Sequence, residues 1–386
     1  MNDRTMENIK KEKKHSLPKG WEIKTIGDVC VSASSNVSQN KLANDEGDYP
    51  IYGASGLIKK VSFYHQDKPY LSIVKDGSGV GRVTKMDAYT SVIGTLQYIL
   101  PKENIDLDYL NYSLMSVDFK KYVAGAAIPH IYFKDYKNEP FLWMPLPEQQ
   151  RIVSILDEAF AAIAKAKANA EQNLKNAKEL FESYLNKVFA GSTETKTKHK
   201  NWEEKKLGEV IEYDKNQNIH KGLPFVGLEN IESNSGKFIG SLSPQEVKSS
   251  TFYFNKQHVL YGRLRPYLNK VLLPDFEGHC STEIFPIKVS KKITREFLFY
   301  WLILGSTVKK INATWTGARM PRANMNQVLE FNFSFPSLKE QQTIVRQLDT
   351  LRIETQKLES IYQKKILLLE ELKKSILQKA FSGELN

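Results

Sequence analysis

The chain has 386 residues, enough for two or three domains, and a hydrophobic share of 41% excludes a wholly disordered protein. Its formal net charge of +11 favours a polyanionic partner, and its two cysteines, Cys30 and Cys280, are too far apart for a disulfide framework or a metal-binding motif. No apolar run is long enough to span a membrane, so we expect no membrane partner and a cytoplasmic location, where thiols stay reduced.

Residues 1–16 are rich in lysine and lack the apolar stretch of a signal peptide, so we predict a flexible basic tail. Residues 17–145 then form a first globular segment. Short β-prone runs bounded by turn residues predict a strand-rich domain, and residues 108–115 have the composition of a helix. This segment carries no basic excess.

A glycine-rich run at residues 76–81 has the composition of a phosphate-binding loop. Such a loop needs a helix directly after it, whereas residues 82–85 are β-prone. The chain also contains no GxxxxGK[ST] sequence. We therefore predict a tight turn between two strands.

Residues 146–191 are predicted to form one long helix. Apolar residues recur at alternating steps of three and four, the pattern of a coiled-coil seam, and Lys167 is its one charged member. Pro145 and Pro147 stand at its start, and Gly191 is a natural stop. We expect helix pairing through Leu156, Phe160, Ile163, Leu174 and Phe181. The pattern by itself also fits a plain dimerisation coiled coil.

Residues 192–201 are polar and predict a linker, and residues 202–335 predict a second globular segment, in which basic residues outnumber acidic ones. Two of its loops concentrate cations, namely Arg263, Arg265 and Lys270 beside Tyr267 in one loop and Arg319 and Arg322 in the other. Arginine suits bidentate contacts with guanine and lysine suits phosphate, although a solvated surface loop accounts for the same residues. The first segment has only His130 and Lys134 in the corresponding loop, and a lone histidine is more often structural.

Residues 336–386 are predicted to form a second long helix, because the first helix recurs there. The recurring residues at the start are Glu148, Gln149 and Gln150 in the first copy and Glu340, Gln341 and Gln342 in the second. The seam of the second copy includes Leu348, Leu351, Leu358, Tyr362, Leu369, Leu372 and Ile376. Length is kept while the middle of the sequence differs, which is typical of a spacer that sets a distance.

The two globular segments share their beginnings and ends but not their interiors. Each opens with a similar tryptophan-containing motif, and Gly125 and Pro129 of the first correspond to Gly317 and Pro321 of the second. Constant frames with different contents predict two related domains with different specificities. No nucleophile motif, paired carboxylates or metal-ligand cluster stands out, so we expect no catalytic residue and no metal site in this chain.

This organisation resembles the specificity subunit of type I restriction–modification systems. The residues that carry the resemblance are the Glu-Gln-Gln-x-Ile-Val motifs beginning at Glu148 and Glu340 and the endings Phe189-Ala190-Gly191 and Phe381-Ser382-Gly383. The resemblance implies an α+β fold with a pseudo-twofold internal repeat. In that fold, two mixed, strand-rich target-recognition domains, residues 17–145 and 202–335, are separated by two long antiparallel helices that form a coiled coil.

The same resemblance implies the partners. Each recognition domain would bind half of a split, asymmetric site in double-stranded DNA, and the helices would dock two modification subunits, with restriction subunits completing the complex. Adenine methylation and DNA cleavage would belong to those partners, which would bind S-adenosylmethionine, ATP and Mg, and this chain would hold no cofactor. Together with the cationic loops, the resemblance assigns DNA contacts to Lys75, Ser78, Arg82, His130, Lys134, Arg263, Arg265, Tyr267, Lys270, Arg319 and Arg322.

Two alternatives to this interpretation stay open from the sequence. A non-catalytic coiled-coil adaptor without sequence-specific DNA binding accounts for the helices but not for two unlike globular segments on one frame. A self-sufficient enzyme needs an active site that the sequence does not display.

Overall fold

The computed structural model of the chain describes residues 17–125, 127–193, 201–317 and 319–382. The predicted basic tail and most of the predicted linker lie outside the described residues. The chain divides into two compact units. Unit 1 comprises Met1–Ala170 together with Lys364–Asn386, and unit 2 comprises Glu171–Gln363. Both divisions fall inside the long helices, so each unit contains one globular segment and a part of each helix.

The two repeated segments are the longest helices of the described chain. The helices, numbered along the chain, are α1 (Ile26–Val29), α2 (Leu107–Ser116), α3 (Phe133–Tyr136), α4 (Leu146–Thr193), α5 (Arg295–Ile303), α6 (Gly305–Ala313), α7 (Met325–Leu329) and α8 (Leu338–Ser382). Short 3₁₀ turns lie at Gln39–Leu42, Phe119–Tyr122, Leu207–Glu209, Leu228–Asn230 and Pro266–Leu268. Pro147 lies in the first turn of α4, where proline leaves no hydrogen bond unmade. Among the described helices, none combines the length and apolar character that crossing a membrane requires.

Unit 1 is built on a four-stranded antiparallel sheet. Its strands are β1 (Glu22–Thr25), β2 (Cys30–Ser34), β3 (Tyr49–Gly53), β4 (Gly56–Val61), β5 (Tyr70–Val74), β6 (Val83–Met86), β7 (Ser91–Val92), β8 (Leu96–Pro101) and β9 (Pro140–Trp143). The central sheet has the order β2-β8-β5-β6, a second has the order β4-β3-β7, and β1 pairs with β9. All five residues of β5 are buried because the strand lies between β8 and β6.

Unit 2 repeats this frame. Its strands are β10 (Glu203–Lys206), β11 (Ile211–Tyr213), β12 (Gln217–Asn218), β13 (Phe225–Val226), β14 (Thr251–Phe254), β15 (Val259–Gly262), β16 (Val271–Leu272), β17 (Gly278–Cys280), β18 (Ile284–Val289) and β19 (Asn332–Phe335). The order β11-β18-β15-β16 and the pair β10-β19 match unit 1, whereas the remaining sheet, β12-β14-β17-β13, has one strand more than its counterpart. The prediction of two mixed, strand-rich domains on one frame is confirmed.

The far ends of the long helices complete the cores of both units. Leu377, near the end of α8, is 7% exposed and belongs to the hydrophobic core of unit 1. The ring of Phe381 lies 5.2 Å from that of Tyr109 in α2. Unit 2 uses the end of α4 in the same way, through Leu185 and Phe189. The matching ends of the two repeats are therefore core residues of the two globular segments.

Within unit 1, the end of α8 runs antiparallel to the start of α4. The ammonium group of Lys373 lies 4.9 Å from the ring centroid of Phe160, and Lys167, further along α4, forms a 2.7 Å ion pair with Glu370. The one charged residue of the predicted seam is thus neutralised by the opposite helix. The predicted antiparallel arrangement of the two helices is confirmed.

Two residues assigned to the helix seam from the sequence are exposed in the structure. Leu358 and Leu372 are 38% and 47% exposed, so helix pairing or partner contact through them stays a prediction. The sequence pattern places the next seam position after Tyr362 three residues on. In the structure the next half-buried residue of α8 is Ile366, four residues on. An apolar pattern predicts the period of a helix, but the crossing geometry decides which of two adjacent stripes is covered. The other assigned residues are buried or half-buried: Leu156, Phe160, Ile163, Leu174, Phe181, Leu348, Leu351, Tyr362, Leu369 and Ile376.

Gln149, the middle residue of the first repeated Glu-Gln-Gln motif, joins the start of α4 to the globular segment of unit 1. Its side chain is fully buried and its amide nitrogen donates hydrogen bonds to the backbone carbonyls of Met144, at 2.8 Å, and Asn104, at 3.0 Å. Its amide oxygen accepts a 2.9 Å hydrogen bond from the backbone N–H of Asp106, the N-cap residue of α2. One side chain therefore fixes the start of α2 against the start of α4.

Gln341 makes the same three bonds in unit 2. Its amide nitrogen donates to the carbonyls of Pro336 and Lys292, at 2.8 and 3.0 Å, and its oxygen accepts a 2.9 Å bond from the N–H of Thr294, the N-cap residue of α5. A buried amide that satisfies three backbone groups cannot be replaced without leaving some of them unpaired. The repeated glutamine is thus a structural residue in both units.

Replacing Gln341 by alanine is expected to lower the free energy of unfolding of unit 2 by about 3 kcal/mol, because buried backbone groups lose their partner. Gln342→Ala is the matched control, since this neighbouring residue of the repeat is exposed, and we expect a change within about 0.5 kcal/mol. Urea denaturation of both variants measures the difference. Equal losses would show that Gln341 does not act as the clamp.

Candidate nucleic-acid interface

Two loops meet in each unit beyond an end of the central sheet. In unit 1 they are strand loop 1, residues 75–82, which connects β5 to β6, and tip loop 1, residues 124–130, which precedes α3. In unit 2 they are strand loop 2, residues 263–270, which connects β15 to β16, and tip loop 2, residues 316–322, which precedes α7. Each strand loop and its tip loop together are called loop pair 1 and loop pair 2.

Backbone hydrogen bonds hold the two loops of unit 1 together. The N–H of Gly77 donates to the carbonyl of Pro129 at 2.8 Å, and the N–H of Ile131 donates to the carbonyl of Lys75 at 2.9 Å. A bridge of the antiparallel type also joins Asp76 to His130.

Loop pair 2 has the same backbone bonds. The N–H of Arg265 donates to the carbonyl of Pro321 at 2.7 Å, and the N–H of Ala323 donates to the carbonyl of Arg263 at 2.9 Å. A bridge joins Leu264 to Arg322. Comparison of the bonds makes Arg263 the counterpart of Lys75, Arg265 that of Gly77, and Arg322 that of His130.

Three charged residues form an ion cluster in loop pair 2. The Glu283 carboxylate accepts from the guanidinium of Arg263 at 3.0 Å and from that of Arg322 at 2.8 Å. Partial burial raises the pKa of Glu283, but the hydrogen bonds and charges of Arg322 and Arg263 outweigh it and hold the pKa below its usual range. The guanidinium of Arg263 also lies 5.2 Å from the ring centroid of Phe285. Both arginines are therefore held in fixed orientations in loop pair 2.

Other side chains of loop pair 2 extend into solvent. Arg265 and Arg319 are exposed, and Tyr267 is 53% exposed. Arg265 has a φ of 50°, in the left-handed region, and a side chain other than glycine pays of order 1 kcal/mol for this conformation. The guanidinium of Arg265 has no hydrogen-bond partner within the described residues. The strained backbone thus presents an uncommitted cation.

Lys270 has a different role. Its ammonium group donates hydrogen bonds of 2.7 and 2.8 Å to the backbone carbonyls of Leu228 and Ile231. These contacts occupy the cation within unit 2 and connect strand loop 2 to the 3₁₀ turn at Leu228–Asn230. The geometry favours a structural role for Lys270, whereas the sequence placed it with the DNA-contacting residues.

Loop pair 1 is less basic. The ammonium group of Lys75 lies 3.3 Å from the carboxylate of Asp76, and this pairing reduces the net charge of the loop pair. Ser78 is exposed. The ammonium group of Lys134 lies 5.2 Å from the ring centroid of Tyr132, and that ring lies 5.0 Å from the ring of His130. A cation, an imidazole and a phenol thus lie side by side in place of the arginine cluster of unit 2.

Arg82 joins strand loop 1 to a second turn of unit 1. Its guanidinium donates a hydrogen bond to the backbone carbonyl of Ala54, between β3 and β4. The glycine-rich run before it is a turn between two antiparallel strands, as predicted. Gly77, Gly79 and Gly81 all have positive φ values, between 85° and 87°, which explains why glycine recurs there.

Sequence reasoning missed three residues of this interface. Glu283 is an acidic residue outside both cationic loops, and nothing in its local sequence marks it as the partner of Arg263 and Arg322. Tyr132 and Trp315, 49% and 48% exposed, lie beside the tip loops. Aromatic residues directly beside the tip-loop sequences were the signal that could have indicated Tyr132 and Trp315. In the described parts of the chain, no three histidine, cysteine, aspartate or glutamate side chains lie close enough to hold a metal ion.

Comparison with known proteins identifies the family of the chain. A family model described as type I restriction modification DNA specificity domain matches residues 18–175 and 199–368, most of the chain. The chain belongs to this family. The resemblance found in the sequence is thereby confirmed, and the function of the chain is the recognition of DNA sequence. The loop pairs of this family member are accordingly its candidate DNA-contacting surfaces.

Individual relatives agree over nearly the full length. The chain is 24% identical over 407 residues to the specificity subunit of the type I restriction enzyme EcoDI of Escherichia coli, with 96% of this chain and 89% of the relative covered. It is 23% identical over 416 residues to the specificity subunit of MjaVIII of Methanocaldococcus jannaschii, with 98% and 96% covered.

Two solved structures share the fold of this family member. A chain from a study of complex assembly and conformational transition of the type I R-M system has a TM-score of 0.72 at 16% identity, with 96% of this chain and 100% of that chain covered. The HsdS subunit from Thermoanaerobacter tengcongensis has a TM-score of 0.58 at 17% identity, with 96% and 98% covered. At these identities the likeness concerns the fold.

Proposed function

We propose that this chain is the non-catalytic recognition subunit of a type I restriction–modification complex, and that each unit binds one half of a split DNA site. The observation that carries the proposal is the repeated loop pair. One backbone arrangement occurs twice, with Lys75 and His130 in unit 1 where unit 2 has Arg263 and Arg322. Different side chains on one frame meet different base edges, so the two half-sites differ and the whole site is asymmetric.

The side chains of the two loop pairs divide into those that position the chain and those that select bases. Arg263 and Arg322, held by Glu283, have the fixed orientation that bidentate contact with a guanine edge requires. The exposed Arg319 and Lys134 suit phosphate contacts. Ser78, His130, Arg265 and Tyr267 are the remaining candidates at the surface, and Arg82 holds the turn that carries Ala54.

Repeated but exposed residues support docking of the same partner twice. Gln150 and Gln342 are identical and exposed, as are Lys187 and Lys379 near the ends of the helices. Unlike the buried glutamines, these side chains are not needed for the cores of the two units. Two equivalent surfaces suit two modification subunits, with restriction subunits binding the assembled complex. Methylation and cleavage, with S-adenosylmethionine, ATP and Mg, then belong to the partners, which function with this chain in the cytoplasm.

The test expresses the chain with its modification subunit in a bacterial host that lacks a type I system, and methylated adenines are mapped across the genome. We expect methylation at one bipartite sequence with unequal halves, and none when the modification subunit is expressed without the chain. Purified chain alone should neither consume S-adenosylmethionine nor hydrolyse ATP. Methylation of symmetric or unrelated sequences would contradict the proposal, and turnover by the pure chain would contradict its non-catalytic part.

Arg265→Gly provides a variant in which recognition is changed without damage to the fold. Glycine adopts the left-handed conformation of this position at no steric cost, so stability should be kept or slightly increased, while the exposed guanidinium is lost. A base-contacting arginine is worth about 1–3 kcal/mol of discrimination. The methylated sequence should therefore relax at one position of one half-site and stay unchanged in the other.

A further inference from the structure

An apolar side chain stands at the same place in both tip loops. Ile128 is 66% exposed and Met320 is 47% exposed. Both residues directly precede the proline whose carbonyl binds the strand loop, Pro129 in unit 1 and Pro321 in unit 2. The two residues are thus structural counterparts, although loop pairs 1 and 2 share few other side chains.

Backbone hydrogen bonds close both tip loops at their base. Tip loop 1 is closed by two reciprocal hydrogen bonds between Ala124 and His130, of 2.8 and 2.9 Å, and tip loop 2 by the same pair between Thr316 and Arg322, of 3.0 and 3.1 Å. The residues after Ala124 and Thr316 are glycines with φ values of 86° and 92°. Each tip loop is therefore closed at its base, and the proline that follows Ile128 or Met320 is bonded to the strand loop.

Packing within the units does not explain an isoleucine and a methionine at these tips. A single exposed apolar residue is common on protein surfaces and by itself has no meaning. Here, however, exposure of an apolar side chain is kept at one position of a repeated frame while the polar neighbours change from His130 to Arg322. In unit 2 the side chain also lies between two cations in the sequence, Arg319 and Arg322. With Arg319 suited to a phosphate contact and Arg322 to a guanine edge, the side chain between them is placed next to the bases.

We propose that Ile128 and Met320 make apolar contacts with DNA bases, one in each half-site. The assignment rests on the proposed function and adds the residues that distinguish bases by apolar contact. In a groove lined by phosphates and polar base edges, the apolar partners available are the C5-methyl group of thymine and the face of an opened base step. Both chemistries need an exposed side chain without charge next to the bases.

The experiment selects binding sequences for the full chain, assembled with its modification subunit, from a random pool of double-stranded DNA. Five proteins are compared: wild type, Ile128→Ala, Met320→Ala, and two controls with exposed apolar residues elsewhere, Val31→Ala in β2 of unit 1 and Leu242→Ala in unit 2, which are 46% and 59% exposed. Ile128→Ala should lose base preference in one half-site only, and Met320→Ala in the other half-site only. Affinity for the wild-type sequence should fall about 5- to 100-fold for each, and the controls should retain wild-type preference.

Salt dependence separates a base contact from a phosphate contact. The slope of log affinity against log salt should be unchanged in Ile128→Ala and Met320→Ala. Arg319→Ala should reduce the magnitude of the slope by about 0.9, the value for one phosphate contact. Deoxyuridine, which lacks the methyl group of thymine, identifies the partner chemistry. If the loss of affinity that deoxyuridine causes in the affected half-site does not add to the loss that the alanine substitution causes, the contact is to the methyl group. If the effects add and the duplex is less bent in the variant, the contact is to an opened base step.

The assignment is overturned if the alanine variants select the wild-type sequence with wild-type affinity, or if each variant weakens both half-sites equally. It is also overturned if the salt slope falls as it does for Arg319→Ala. Thermal melting verifies folding, and Met320→Leu, which keeps the apolar character, should restore the preference. A wild-type complex that selects no sequence would contradict the proposed function, whereas a selective wild-type complex with unaffected alanine variants would contradict this assignment alone.

Discussion

Inserting one heptad after Ala170 in α4 and one after Gln363 in α8 is expected to lengthen the spacer between the two half-sites by about three base pairs. Seven residues keep the coiled-coil register and add roughly 10 Å to each helix, and base pairs are about 3.4 Å apart. Both insertion points coincide with the division between units 1 and 2, so the internal contacts of each unit are kept. The half-site sequences should stay unchanged because the loop pairs are untouched.

Methylation mapping of the extended chain, expressed with its modification subunit, measures the new spacer directly. The comparison variant adds four residues to α4 alone, which shifts the apolar seam out of register and should abolish methylation. A folded, extended chain that still directs methylation only to the original spacing would show that DNA bending or the partner subunits set the gap. That result would show that the length of the helices does not set the spacer, and it would not affect the assignment of the loop pairs.

Replacing Leu377 by alanine is expected to destabilise unit 1 by about 3 kcal/mol, within the usual range for a buried leucine, and to leave unit 2 intact. Leu377 lies near the C-terminal end of α8, yet it is 7% exposed in the core that also contains Leu114 and Phe141 of the first globular segment. Hydrogen exchange should therefore increase in α2 of unit 1 and not in α5 of unit 2.

Leu372 supplies the matched control for this prediction. It is a leucine of the same helix, five residues earlier, but it is 47% exposed. Leu372→Ala should change the stability by less than about 1 kcal/mol, since little apolar surface is returned to water. If both substitutions destabilise unit 1 equally, the end of α8 does not form part of its core. The pair also tests the seam, because the heptad pattern alone places Leu372 in it and excludes Leu377.

The repeat was visible in the sequence because it is a matter of identity and spacing along the chain. Equal offsets between the Glu-Gln-Gln motifs and an apolar period of three and four residues are local properties, so the two long helices, the two globular segments and the family followed from them. The predicted helix α4 begins at Leu146, and so does the helix in the structure. The start was predictable because Pro145 and Pro147 limit where a helix can begin. The antiparallel packing followed from the resemblance, and contacts such as Lys167 with Glu370 bear it out.

The purpose of the repeated residues was not visible in the same way. Gln149 and Gln150 are identical in type and recur together, yet the first is fully buried and the second exposed. The sequence gives no means to separate a glutamine that holds α2 from one that is available to a partner. Burial separates them because only the buried amide has three backbone groups within hydrogen-bond distance.

The sequence by itself determined the doubled architecture, the family and the cationic loops of this protein. Only the tertiary structure decided that Lys270 is held by backbone carbonyls, that Glu283 orients Arg263 and Arg322, and that Ile128 and Met320 are both exposed. The physical reason is that a helix and its apolar stripe arise from residues a few positions apart, whereas an ion pair or a loop-to-loop hydrogen bond joins residues that only folding brings together.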